Sequence, residues 1–538
     1  MTCINNNFST RQYVSDVITK EEVDKWKIQD KILITAGTGT GKTYFCKTIL
    51  SNITRKSNKK ILIVSNRTLL KEQIRQDTFK DRDIIDVVSY QSIEERYIQS
   101  AGNLPEDLYS EYLFIFFDEF HYVYSDSEFR METEYTMFMI EAIKNSIMIF
   151  ATATPQILYM DDRLDFAYKY ELDYFYSNIK KITLFRSTKD MIEIFSKNTN
   201  GKSMFFFSSV ENALYAKNST NNCGFIVSKN SNKSIYNTTS DYETIKWKNK
   251  FKKQKIATTK VLDNGVNIVD KDFNKIFIDI FDPIEIEQCI GRKRFLSEDD
   301  YLNVFIKCPN IPYIKRMRDA IQSQIEDYKK RICVPLEDYT SSYLVLKQTS
   351  TMTPDYKPRK CYYLYLLYKR DLYTQYMEYK SYNEYDYGYF DEASTTHCLQ
   401  HWLDRNPNAE ILYYSKVVRQ KRVYELLKQY DGLQMLNSYL RTRLLSELRE
   451  AYVPRNGMRF EAMSATKVND ILKILGLPIT FCSARKKISV VIRDGKRGLI
   501  LGFDDSIMDK DKSINQKYYY FKYDDKDFVL QYDVLLSL

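Results

Sequence analysis

Glycine is scarce in this chain, 15 among 538 residues, so wherever glycines cluster the backbone has a reason for them. Histidine is scarcer still, with three. Two of these, His397 and His401, stand one helical turn apart, but no cysteine or carboxylate at matching spacing completes a metal set, and they read as ordinary helix residues. The nine cysteines are scattered singly without a CxxC pair, which excludes a disulfide framework and fits reduced thiols in a cytosolic protein. No run of 18 apolar residues is present, so no membrane span is expected. The opening MTCINNNFSTRQYV lacks the pattern of a signal peptide, and a soluble, cytoplasmic protein is expected. Repeats of 20–50 residues and low-complexity tracts are missing too. Charge of one sign is only mildly in excess: 80 Lys+Arg against 71 Asp+Glu give +9, which permits a polyanionic partner without demanding one. Apolar residues make up 44% of the chain, enough for packed cores and too many for a disordered protein.

Three of the scarce glycines fall within five residues, in KILITAGTGTGKTYFCKTIL (Lys31–Leu50). Ile32–Thr35 reads as a buried strand, followed by Ala36, Gly37, Thr38, Gly39, Thr40 and Gly41, then Lys42-Thr43 and a helix-competent segment. This order suits a nucleoside triphosphate. Glycine-rich backbone curls around phosphates, and the new helix points its positive end at them. Lys42 reaches the β and γ oxygens, while the Thr43 hydroxyl ligates Mg²⁺. The strict pattern has glycine where Ala36 stands. ATP and Mg²⁺ are the expected ligands.

Short apolar runs recur downstream at Ile61–Ser65, Ile84–Ser89, Leu113–Phe117 and Ile147–Ala151. A second series follows at Ile182–Phe185, Ser203–Ser208, Gly224–Val227, Ile256–Thr259, Lys275–Ile280 and Tyr301–Phe305. Each run is too short for a helix and rich in β-branched or aromatic residues, as in strands buried on both faces. Crossover-length segments between them predict two tandem α/β domains with parallel sheets, over 1–160 and 161–310, joined near 155–180. An accessory region, 311–538, is expected to be mostly helical and rich in tyrosine, with 11 of 45 tyrosines between Cys361 and Phe390. The stripe Tyr365, Tyr368, Leu372, Tyr376, Tyr379 has the spacing of a packed helix face, which outweighs a base-stacking role. Val468–Leu475 reads as a helix stopped by Gly476 and Pro478. Strands Ile488–Ile492 and Leu499–Phe503 follow, with Lys496-Arg497 at their joint and Arg485-Lys486-Lys487 before them. This order suits either a winged-helix-like module or a plain packing unit, and the region could select a substrate or a protein partner.

Leu113–Phe117 ends in Asp118-Glu119-Phe120-His121, where an acidic strand end can hold Mg²⁺ through Asp118 and polarise water through Glu119. Ala151-Thr152-Ala153-Thr154-Pro155 closes another strand with two hydroxyls. Gln288-Cys289-Ile290-Gly291-Arg292-Lys293-Arg294 places an amide and guanidinium groups where a facing domain could stabilise charge on the γ-phosphate.

Taken in order, these segments resemble the motifs of superfamily 2 helicases and translocases of the DExH type. AGTGTGKT resembles motif I, SNRTLLKEQ (Ser65–Gln73) motif Ia, SYQS (Ser89–Ser92) the short motif after it, DEFH motif II and TATP motif III. FFFSS (Phe205–Ser209) is similar to motif IV, ATTKVLDNGVNI (Ala257–Ile268) to motif V and QCIGRKR to motif VI. The resemblance covers about residues 30–300. It implies two RecA-like domains with ATP between them and a nucleic-acid strand across their tops. Arg67, Ser89, Gln91, Ser208 and Thr259 would face the strand's backbone. Gln288 and Arg292 would face the γ-phosphate, and Thr152, Thr154, Gly265 and Asn267 would couple the two sites. The chain departs from the pattern in three places. The second motif VI arginine is replaced by Phe295, leaving Arg294 or Lys293 to substitute, with Arg294 expected as the next guanidinium on the segment. Asn267 stands where the family carries Asp. A DEAD-type glutamine motif is not evident, leaving Trp26 and Gln29 as candidates beside adenine. The implied activity is an ATP-dependent helicase or translocase, on DNA rather than RNA. The alternatives are a duplex translocase or remodelling ATPase that separates no strands, and a nucleotide-gated binding or replication-loading module with slow hydrolysis.

Overall fold

The computed structural model describes residues 13–37, 40–65, 83–172, 178–228, 231–262, 266–297, 299–309, 311–332, 343–347, 355–378, 406, 408–431, 443–448, 465–489, 491–493, 496–498, 513–525, 528–530 and 533. The first sheet contains β1 (Lys31–Thr35), β2 (Lys60–Ser65), β3 (Ile85–Ser89), β4 (Tyr112–Phe117), β5 (Ile147–Thr152) and β6 (Tyr168–Glu171), in the order β3-β2-β4-β5-β1-β6. All neighbours are parallel. Alternate residues supply two cores. Leu33, Leu62, Val64, Ile115 and Phe117 pack on one face, and Ile32, Ile34, Ile61, Ile63 and Phe116 on the other. A strand buried on both sides needs an unbroken apolar run, which is why these strands were legible as such.

Strand β6 was not expected. Its sequence, Tyr-Lys-Tyr-Glu, alternates half-buried and exposed residues at the sheet edge and reads as a polar joint. It pairs in register with β1, Ile32 opposite Tyr168 and Thr35 opposite Glu171, so the first sheet draws on chain beyond the expected limit at residue 160.

Six strands of the seven-stranded second sheet are β7 (Ile179–Phe185), β8 (Lys202–Phe206), β9 (Cys223–Ile226), β10 (Lys255–Thr258), β11 (Phe273–Ile278) and β12 (Leu302–Lys307), neighbouring one another as β7-β12-β11-β8-β10-β9, again parallel. An aromatic core runs across it: the Phe277 and Phe305 rings stack at 4.2 Å, and Phe195 packs edge-on against Phe205 and Phe277.

The region after residue 310 divides. Helices Ile311–Ile332 and Lys360–Glu378 belong to the same compact unit as the strands named above, whereas the described residues from 412 onward belong to a second unit. The tyrosine stripe is a packed face: Tyr365 and Tyr376 are buried, and Tyr368 donates to Asp282 Oδ1 at 3.3 Å. Tyr379 lies outside the described residues. In the second unit, helices Tyr414–Lys428 and Ala465–Ile474 share a core with an antiparallel pair, Ile479–Ser489 against Ser513–Tyr523. That pair was missed because Arg485-Lys486-Lys487 hides the alternation that Ile479 and Phe481 begin, so the unit carries more strand than the helical pattern suggested. The anticipated hairpin is a three-residue pairing of Val491–Arg493 with Lys496–Gly498, and Leu499–Phe503 lies outside the described residues. Among the described residues no helix is long and apolar enough to cross a membrane.

Candidate active site and nucleic-acid interface

Strand order builds the site. β5 lies between β1 and β4, so Thr152 at its carboxyl end stands between the phosphate loop and Asp118. Ala36 is fully buried and its amide donates to the Thr152 carbonyl at 2.9 Å, extending the β1–β5 ladder by one rung. Thr40 Oγ1 donates to the Gly37 carbonyl at 2.8 Å and braces the loop across its width. Gly41 has φ +82°, a left-handed backbone that favours glycine, and a Cβ there would lie 3.3 Å from the Tyr13 ring. Val14 N donates to the Thr40 carbonyl at 2.9 Å, so the segment before β1 straps the loop from outside. Nothing in the composition of that segment had marked it. The chain is helical from Lys42 to Ser57, with a wider turn over Cys46–Leu50. Thr43 lies in the first turn. Its side chain, and Thr38 and Gly39 altogether, fall outside the described residues.

Beyond β4 the chain turns sharply. Glu119 has φ +50°, a strained conformation for a side chain of its size. The turn is held because Asp118 N donates to the Val64 carbonyl at 2.9 Å and Phe120 N to the Ala151 carbonyl at 3.0 Å. Lys42 Nζ sits 2.9 Å from Glu119 Oε1 and 3.9 Å from Asp118 Oδ1. Burial pushes Asp118 above the usual carboxylate range against the pull of Lys42. Burial also acts to raise Glu119, but Lys42 and His121 overcome it and hold that carboxyl low. His121 is pushed down to about 4 by burial and is neutral at physiological pH. Its Nδ1 is 3.0 Å from Thr152 Oγ1, which in turn accepts from Thr154 N at 3.0 Å. The two motif III hydroxyl residues thus connect directly to the acidic turn. His121 was quoted within DEFH but given no role, since only strand order reveals Thr152 as its neighbour.

The second sheet supplies the facing groups. Asp282 accepts from Ile284 N and Pro283 opens the helix Pro283–Ile290, a well-formed start that fixes Gln288 in its last turn. Arg292 is buried, its guanidinium donating to the carbonyls of Gln288 (2.8 Å) and Val266 (3.0 Å). Arg294 Nε donates to Asn267 Oδ1 at 2.7 Å. Asparagine at 267 therefore positions this guanidinium. The charge of Arg292 is felt at Glu119 and His121, and that of Arg294 at Lys42 and Asp118. Lys293 turns away into a buried pair with Asp300, 2.7 Å, and donates to the Asp270 carbonyl at 2.7 Å. Gly265 lies outside the described residues.

Ser89, Gln91, Ser208 and Thr259 all follow the carboxyl ends of strands β3, β8 and β10, the side on which open parallel sheets bind ligands. Ser89 caps the helix Tyr90–Gln99, its Oγ accepting from Ser92 N. Gln91 Nε2 donates to the Tyr122 hydroxyl at 2.8 Å, and the exposed Ser208 donates to Asp279 at 3.3 Å. Arg67 lies outside the described residues. Trp26 does not offer itself to a base; it is buried against Phe114 and Tyr170.

Residues 7–83 match the family model of the type III restriction enzyme res subunit. That match spans the phosphate loop and its strap, and the lysine, carboxylates and arginines described above complete the motif series around it. Over that segment the chain is similar to the family. No curated relative matches the chain. Solved structures similar to it include Saccharomyces cerevisiae Dbp5 bound to RNA and ADP BeF3 (13% identity, 56% of this chain and 88% of that one, TM-score 0.40). Escherichia coli DEAH/RHA helicase HrpB is another (11% identity, 87% of this chain and 64% of that one, TM-score 0.37).

The residues of this site fit Mg²⁺ with a triphosphate. Asp118 Oδ1 and Glu119 Oε2 are buried acceptors without a hydrogen-bond partner, and Gln288 Nε2 is a buried donor without one. Acceptors on one side suit a cation and a water; the donor suits a phosphate oxygen. Among the described residues no group of three or more His, Cys, Asp or Glu could hold a metal by itself, but magnesium on phosphates needs only one or two carboxylates.

Proposed function

We propose that the protein is an ATP-dependent helicase or translocase that couples Mg·ATP hydrolysis to movement on a nucleic-acid strand, on DNA in preference to RNA. The observation that carries this reading is the Lys42–Glu119–Asp118 cluster, with the charges of Arg292 and Arg294 reaching Glu119 and Asp118. Bound there, magnesium would supply charge neutralisation at the triphosphate through Asp118 and Thr43. Lys42 exchanges Glu119 for phosphate oxygens. Glu119, so released and ionised, accepts a proton from the attacking water. Gln288, Arg292 and Arg294 meet the charge that develops on the γ-phosphate, so the two halves close on ATP and part after hydrolysis. Ser89, Gln91, Ser208 and Thr259 contact the strand's phosphates, which position without selecting sequence. The preference for DNA rests on the missing DEAD-type glutamine motif and the DExH signature. A tailed duplex in DNA and in RNA form tests it: ATP-dependent strand release from the DNA form is expected, and release from the RNA form alone overturns the preference.

A further inference from the structure

Two consecutive residues of the helix Tyr90–Gln99 hold the two ends of the acidic turn. Tyr90 OH donates to the Asp118 carbonyl at 3.0 Å, and Gln91 Nε2 donates to Tyr122 OH at 2.8 Å. Between those anchors lies Glu119, in its left-handed backbone conformation. The Tyr90 and Tyr122 rings are in contact, centroids 5.1 Å apart, and both are buried. Tyr122 OH also accepts from Arg130 Nη1 at 2.7 Å, and Arg130 pairs with buried Glu94 of the same helix at 2.6 Å. Helix and turn are therefore joined at three points, and the helix begins at Ser89, beside the strand-contacting Gln91. A left-handed glutamate persists only where its surroundings determine it. Its carboxylate aim follows whichever way these anchors move.

We infer that Tyr90 and Tyr122 are positioning residues that transmit nucleic-acid occupancy to Glu119. The inference rests on the proposed strand contact of Gln91. A phosphate oxygen that takes the Gln91 amide draws it from Tyr122 OH and shifts the first turn of the helix. Tyr90, one residue back, carries the shift to the Asp118 carbonyl, so both ends of the turn respond together. Neither tyrosine touches ATP or the strand.

The test uses the full chain with Tyr122→Phe and Tyr90→Phe, which keep both rings. ATP hydrolysis is measured without a strand and with saturating single-stranded DNA or RNA, and strand affinity is measured beside it. Strand-free turnover and strand affinity are expected to stay within about threefold of the unsubstituted protein, while the strand-stimulated kcat falls about tenfold at unchanged KM for ATP. Full stimulation in both folded variants overturns the relay and leaves the helicase reading intact. Equal loss of strand-free and stimulated turnover also overturns it, since that marks a merely structural role. Should no strand stimulate the unsubstituted protein, the helicase reading fails and the relay with it.

Discussion

The Lys42 ammonium lies 2.9 Å from Glu119 Oε1 and 3.9 Å from Asp118 Oδ1, so one cation balances two buried carboxylates. Replacing it by alanine leaves those carboxylates uncompensated and the phosphates without their lysine. Lys42→Ala is expected to abolish ATP turnover, with circular dichroism checking the fold. Turnover near that of the unsubstituted protein would remove the phosphate-loop assignment.

Binding and chemistry separate at the acidic turn. Glu119→Gln keeps the shape but cannot take a proton. It should retain Mg·ATP while hydrolysing it at least ~10²-fold more slowly, the range for losing a general base. Nucleotide affinity by fluorescence titration, paired with single-turnover hydrolysis, gives the answer; unchanged hydrolysis places the base elsewhere.

The strands and the glycine-bearing loop that frame this site were legible in the sequence, for a physical reason. Phosphate binding needs glycines, a lysine and a helix start in one local run, and a strand buried on both faces needs unbroken apolar residues. Both signals survive without tertiary context. The choice of Arg294 over Lys293 rested in the sequence only on its being the next guanidinium, because what holds each cation, Asp300 for Lys293 and Asn267 for Arg294, shows only in the fold. Strand β6 and the pair Ile479–Ser489 with Ser513–Tyr523 were missed for a related reason: edge strands carry charged residues that erase the apolar run.

That choice yields a paired prediction. Arg294→Ala should lower kcat with little change in ATP affinity, the mark of a contact made in the transition state. Lys293→Ala strands Asp300 in the interior and should cost about 3–5 kcal/mol of stability. Thermal melts beside steady-state kinetics distinguish them; a stable, catalytically crippled Lys293→Ala reverses the assignment.

A second buried lysine marks an instability. Lys275 is fully buried and its Nζ has no hydrogen-bond partner. Burial, with Lys255 nearby, brings its pKa from 10.5 to about 8. Between those values the unfolded chain holds a proton the folded protein lacks, so stability rises with pH across that window. Below pH 8 the folded protein bears the full penalty. Lys275→Met is expected to stabilise at pH 7 by on the order of 2 kcal/mol, an advantage that shrinks as pH climbs from 8 toward 10.5. Melting temperatures at pH 7 and pH 9.5 check it, and a variant no more stable at pH 7 contradicts it.

Strand binding and ATP hydrolysis are expected to be coupled in this chain. The most direct measurement is steady-state ATP hydrolysis by the full protein with single-stranded DNA, duplex DNA and RNA in parallel, Glu119→Gln serving as the blank. Mg²⁺-dependent hydrolysis is expected, accelerated at least tenfold by single-stranded DNA and less by duplex DNA and RNA, with none above background in the blank. Hydrolysis indifferent to all three nucleic acids, or equal in the blank, would contradict it.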